Sequence, residues 1–190
     1  DKIWNLSGKR PSRSANQIKI LDINYSGEHV ESKLTRLREK MKKVGTDKII
    51  LSAIDDICWT FNLRGTDIDF NPSFFAYAVI GLKEEDENVW IFVQNAKEQE
   101  KILKSQDNDT YGTFNFIEYS EAIENLAQLT ITSNDTVWFD SSLNFALATQ
   151  IEKITKKSFI TDNSEAQVLK LTKNKTEMAG MFSANVKASV

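Results

Sequence analysis

Few side chains in this sequence could do chemistry, and their spacing limits what that chemistry could be. There is one histidine, His29, and one cysteine, Cys58. A hydrolytic metal site needs several His, Asp, Glu or Cys side chains converging around an open position for water. His29 lies beside Glu28 and Glu31 at the start of a charged helical stretch and reads as a solvated helix end. One imidazole with no nucleophile placed beside it offers no triad. Cys58 sits in Ile57-Cys58-Trp59, where apolar neighbours favour a buried, inert thiol over a reactive one. Asp55-Asp56 is the best carboxylate pair, but consecutive helical residues diverge by about 100°. The two are therefore expected to favour a helix N-terminus and not to share a site. The acidic run at 83–87 reads as a solvated hairpin tip, and neither a phosphate loop nor a dinucleotide-binding glycine motif occurs. On its own the chain is expected to supply no catalytic residue, no metal ligand set and no cofactor.

One stretch does concentrate binding groups. Residues 62–72 place Asn62, Arg64, Asp67, Asp69 and Asn71 around Gly65 and Pro72, between two strongly apolar segments. Polar loops held by rigid elements are where binding groups tend to sit. Two readings stay open. Arg64 and Asp67 could pair with each other or cap backbone groups in a structural turn. Alternatively, the planar fork of Arg64 could hold a peptide carbonyl or carboxylate. Asn62, Arg64, Asp67 and Asn71 are the candidate cleft residues.

The elements around this loop follow from hydrophobic periodicity. Residues 1–21, with Pro11, arginines and serines, read as an extended lead-in with little to bury. Val30, Leu34, Leu37 and Met41 fall on one face of a helix, with Ser26 as expected N-cap, a Tyr25–Val30 staple and Gly45 as terminator. A strand at 48–51 leads to a short helix through about Phe61, expected to be capped from Ser52 with Asp55 in its first turn. The continuous apolar run at 73–80 suits a strand covered on both faces. Its link to the strand at 89–93 is too short for a crossover helix, so the two should be antiparallel. Helices at about 97–104, 122–129 (Ala122, Ile123, Leu126 and Leu129 on one face) and 143–151 then alternate with strands at 113–117, 136–139 and 158–160. The fold class expected is α/β, a mixed sheet flanked by helices, over residues 22–172. From Lys173 onward a further helix has a weak apolar face of Met178, Met181, Phe182 and Val186.

Composition narrows the partners. The chain has 190 residues, 24 Lys and Arg against 27 Asp and Glu, and a net charge of −3. That balance argues against a nucleic-acid partner, which needs clustered cations, and gives no reason to expect a membrane. A solitary cysteine fits a reducing, cytoplasmic setting. The Asn-x-Ser/Thr triplets at Asn5, Asn24, Asn108, Asn134 and Asn174 are expected by chance in a chain this rich in Asn, Ser and Thr. No signal peptide is visible at 1–13.

The stretch Ile54-Asp55-Asp56-Ile57-Cys58-Trp59-Thr60-Phe61-Asn62-Leu63-Arg64-Gly65, continuing through Asp67-Ile68 to Asn71-Pro72-Ser73-Phe74-Phe75-Ala76-Tyr77, closely resembles the middle domain of cytosolic-type Xaa-Pro aminopeptidases. The lead-in with Trp4, Pro11 and Tyr25-Ser26-Gly27 resembles the link from that family's first domain, and Lys173-Asn174 with Glu177, Gly180 and Met181 its entry into the catalytic domain. One departure is Asn185 after Ala184, where the family usually has His. The resemblance implies a creatinase N-terminal-like fold with a ribonuclease H-like motif. It divides the chain into a linker (1–21), a middle domain (22–172) and a helix (173–190) leading to a catalytic domain. It also implies a parent that removes the residue ahead of proline, using two divalent metals, usually manganese, held by the catalytic domain. The partners implied are that domain, proline-containing peptides and, in the parent, a second copy as homodimer. The competing reading is a peptidase-like protein-binding module without activity.

Overall fold

The computed structural model describes Trp4, Leu6 and residues 11–82 and 89–189. The acidic turn at 83–88 and most of the lead-in before Pro11 lie outside the described residues. The core is a six-stranded sheet in the order β6-β5-β4-β2-β7-β8. Its strands are β2 (Lys48–Leu51), β4 (Ala76–Gly81), β5 (Val89–Val93), β6 (Asn115–Glu118), β7 (Val137–Asp140) and β8 (Ser158–Thr161). β4 is antiparallel to both its neighbours, as the short link to β5 predicts, while β5–β6, β2–β7 and β7–β8 are parallel. Five strands therefore end on one edge of the sheet and β4 begins there. A separate antiparallel pair joins β1 (Lys19–Ile20) to β3 (Leu63–Arg64).

Alternation along each strand sorts the core into two layers. Ile49, Leu51, Ala78, Ile80 and Ile91 face α2 (Val30–Val44), α3 (Ile54–Thr60) and α4 (Ala96–Gln106), meeting Leu34, Leu37, Met41, Ile57 and Leu103. Ile50, Val79, Phe92, Val137 and Phe139 face the other way, toward Leu126 of α6 (Ala122–Thr130) and Leu147 and Ile151 of α7 (Phe145–Ile154). The central strands are buried on both faces, and the expected helix-flanked mixed sheet is what forms. Three short helices complete the fold: α1 (Ile23–Ser26), α5 (Asn108–Tyr111) and α8 (Glu165–Leu171). α9 (Lys175–Ala188) follows, opened by a capping box between Asn174 and Glu177.

Several local expectations are corrected. The lead-in does bury surface. Ile18 is inaccessible, its amide donates to Gln99 Oε1 at 2.9 Å, and Leu21 N–H donates to the Asn62 carbonyl at 2.7 Å. Ser26 does not cap α2. It ends α1, where Gly27 takes a left-handed φ of 67° as C-cap, and His29 is the exposed N-cap of α2 without a side-chain bond. Tyr25 stays exposed, so no staple reaches Val30. Ala53, not Ser52, is the N-cap of α3. Leu129 is 54% exposed because Ala122, Leu126, Ala127 and Thr130 form the buried face of α6.

Asp55 and Asp56 do meet one partner. Lys170 of α8 places its ammonium 2.5 Å from a carboxylate oxygen of each, and Ser164 donates to the second oxygen of buried Asp56. The 100° divergence did not prevent this, because the flexible lysine stem arrives between the two side chains from a helix absent from the sequence-based reading.

Candidate functional site

The 62–72 loop leaves α3 at Asn62, whose φ of 51° turns the chain sharply into β3. Asn side chains tolerate this conformation because they can bond locally. Buried Asn62 accepts from Lys33 Nζ at 2.6 Å and donates through Nδ2 to the Glu28 carbonyl at 2.8 Å. Next, Arg64 Nη1 donates to the carbonyls of Cys58 (2.9 Å) and Leu63 (2.8 Å). Gly65 is required by space, since a Cβ there would lie 2.6 Å from Phe74 Cβ. Asp67 accepts from Asn16 N–H at 2.9 Å and Phe75 N–H at 3.2 Å, tying lead-in, loop and the residue just before β4 together. Asn71 Oδ1 accepts from Ser73 Oγ at 2.6 Å. At the tip Phe70 holds a φ of 62° with its ring fully exposed.

The four sequence-predicted residues thus split into two groups. Arg64 and Asp67 do not pair with each other; each braces backbone groups. Asp67 and Asn71 fix the shape of the loop. Asn62 and Arg64 join a polar cluster that sequence reasoning missed, built from Lys33, Trp59, Glu28 and Glu177.

Lys33 is 1% exposed on the inward face of α2. Its ammonium donates to the Trp59 carbonyl at 2.8 Å and lies 4.4 Å from the Trp59 ring centroid. Burial drives its pKa down to about 8, opposed by the charges of Glu28 and Glu177. Trp59 Nε1 donates to Glu177 Oε1 at 3.0 Å, so α9 is joined to α3 through the same ring. Burial also lowers the Arg64 pKa, against the raising effects of Cys58 and Glu177. Burial raises the Cys58 thiol, in line with an inert cysteine. A signal for Lys33 was present: position 33 falls on the stripe of Val30, Leu34, Leu37 and Met41, and a lysine there must find acceptors inside.

The start of α9 is seated against the same region. Asn174 Nδ2 donates to the Ser26 carbonyl at 2.8 Å, and a Cβ on Gly27 would sit 2.6 Å from Asn174 Oδ1 and from Thr176 Cβ. Beyond this contact α9 buries nothing: Met178, Met181, Phe182 and Val186 are all at least half exposed. Among the described residues no group of three or more His, Cys, Asp and Glu side chains converges as a metal ligand set. The described residues therefore do not supply the ligands of a two-metal centre, which the resemblance places in another domain. No helix among them is long and apolar enough to cross a membrane.

Comparison with known proteins now places this architecture. Residues 9–177 match the family described as Creatinase/Prolidase N-terminal domain. The chain belongs to this family. Over 190 residues, this creatinase/prolidase N-terminal domain is 26% identical to Xaa-Pro aminopeptidase ApepP of Drosophila melanogaster, covering 100% of this chain and 29% of the fly protein. It is 31% identical over 180 residues to Xaa-Pro aminopeptidase 1 of Dictyostelium discoideum, covering 95% and 27% respectively. Among solved structures it superposes on the X-prolyl aminopeptidase of Caenorhabditis elegans with a TM-score of 0.78 and 25% identity, over 95% of this chain and 29% of that one. The worm protein is described as a cytosolic enzyme with a di-nuclear active site. The chain spans less than a third of the length of these relatives.

Proposed function

We propose that this chain is the middle, non-catalytic domain of a cytoplasmic Xaa-Pro aminopeptidase and that it walls the substrate cleft of the parent. The observation carrying this reading is coverage: the chain aligns over 95% or more of its length with peptidases more than three times its length. In this reading the parent releases the residue ahead of proline by two-metal hydrolysis, and another domain holds the metals, manganese by resemblance. The exposed apolar side chains of α9 support the same view, since a helix that buries none of its own residues needs a covering surface from elsewhere in the parent.

The loop at 62–72 is the wall. Arg64 spends Nη1 on two carbonyls, while its Nε and Nη2 have no partner among the described residues; Asn71 likewise keeps its amide nitrogen. These donors suit a peptide carbonyl or carboxylate. In the full-length parent, Arg64→Ala is expected to lower kcat/KM about tenfold, the loss of one charge-assisted hydrogen bond. Metal content by elemental analysis should stay unchanged, and Arg64→Lys should restore part of the activity. Unaltered kinetics in Arg64→Ala would sink the proposal.

A further inference from the structure

A second feature of this fold lies on the opposite layer of the sheet from the Lys33 cluster. At the edge where five strands end, a cleft of about 690 Å³ opens between Arg13, Tyr77, Gln94, Tyr119, Ile123 and Asn144. Ligands favour the carboxyl ends of strands in open α/β sheets, and this volume falls within the range of small-molecule sites. Tyr77 and Tyr119 stack with centroids 5.5 Å apart and an interplanar angle of 17°. The Arg13 guanidinium stands 4.8 Å from the centroid of the Tyr119 ring. Arg13 has no ion pair among the described residues, and no carboxylate lines the cleft.

Arg13 is not placed by chance. Three residues later Asn16 is clamped: its N–H donates to Asp67, its side chain donates to the Thr66 carbonyl at 2.8 Å, and its own carbonyl accepts from Gln99 Nε2 at 3.1 Å. The lead-in is thereby strapped to the domain on its way to the cleft. Gln94 and Asn144 add neutral amides, and Asn144 stands at the N-terminus of the ten-residue helix α7. Burial, with Tyr77 alongside, pushes the Tyr119 pKa up to about 12, so its hydroxyl stays protonated at neutral pH.

We propose that this cleft binds a small monocarboxylate attached to a flat or apolar body, of the kind found at the C-terminus of a peptide ending in an aromatic residue. A single guanidinium flanked by neutral amides matches one negative charge. A phosphate dianion would call for more cations than this lining holds. The stacked tyrosines supply the apolar and aromatic surface beside that charge.

The test is titration of the protein with N-acetyl-phenylalanine, followed by the ring resonances of Tyr77 and Tyr119. Acetate, N-acetyl-phenylalanine amide and inorganic phosphate serve as controls. Saturable shifts are expected below about 10 mM ligand, the affinity range of a small weak binder. The amide and acetate should each bind at least tenfold more weakly. Arg13→Gln, an exposed position that does not endanger folding, should weaken acetyl-phenylalanine about tenfold or more while leaving the melting temperature alone. Any of three results overturns the proposal: equal affinity for acid and amide, binding unaffected by Arg13→Gln, or phosphate or acetate competing as well as the aromatic acid. Absence of saturable shifts overturns it too.

Discussion

Replacing Lys33 by Met tests the buried cluster quantitatively through the pH dependence of stability. The folded pKa of Lys33 is lowered to about 8 from an ordinary 10.5, with burial the largest cause. Below pH 8 both folded and unfolded chains carry the proton, and the penalty for burying a charge is constant. Between 8 and 10.5 the folded chain gives up the proton first. The unfolded state then binds more protons, and stability rises with pH. At 1.36 kcal/mol for each unit of pKa difference, the full rise is about 3 kcal/mol. Integrated only from pH 8 to 10, it is about 2 kcal/mol.

That window is the useful one, because the raised pKa values of Tyr111 and Tyr119 work in the opposite direction only above their ordinary value of 10. Met preserves the length of the stem but cannot titrate. Urea unfolding of both proteins at half-unit steps from pH 7 to 10 gives the difference in unfolding free energy, from which background titrations cancel. That difference, wild type minus Lys33→Met, should climb by about 2 kcal/mol across the window. The intercept at pH 7 reports something else, the balance between relief of a buried charge and the orphaned Asn62 Oδ1. A difference that stays flat within about 0.5 kcal/mol, the usual scatter of such comparisons, refutes a buried, titrating ammonium.

Other outcomes follow from the same geometry. Gly27→Ala forces a Cβ into Asn174 and Thr176 at a φ of 67° and should destabilise the fold by at least about 2 kcal/mol, read as a lower urea midpoint. Trp59→Phe removes the donor to Glu177 and should lose about 1.5–3 kcal/mol. Combined with Glu177→Ala it should show a coupling above about 0.5 kcal/mol; strict additivity would mean that the bond carries nothing. Cys58, buried with a raised thiol pKa, should react with a disulfide reagent only after unfolding. Fast modification of the native chain would contradict its burial.

The sequence was most legible where one period dominates. The stripe at Val30, Leu34, Leu37 and Met41 forms the helix its pattern implies, and the apolar run before Gly81 forms a strand that begins at Ala76, three residues later than the run itself. Legibility failed where a distant segment decides. Lys170 reaches Asp55 and Asp56 across more than a hundred residues, and nothing local announces it. Ser26 has the chemistry of an N-cap, yet the chain makes one more turn before it and uses Gly27 to stop. Within the candidate loop, residue types pointed to polar contacts without saying with whom. Asp67 serves Asn16 and Phe75, partners on opposite sides of it in sequence, and Arg64 turns inward to Cys58.

The seating of α9 has a mechanical consequence. Its base is pinned through Asn174, Glu177 and the tight fit at Gly27, while none of its 14 residues is buried among the described residues. At 1.5 Å per residue the helix projects about 21 Å, so a tilt of about 10° at the pinned end swings the far end by about 4 Å. A subtle loosening of one hydrogen bond beneath Trp59 is thereby magnified into a displacement the size of a side chain at the far end of the helix.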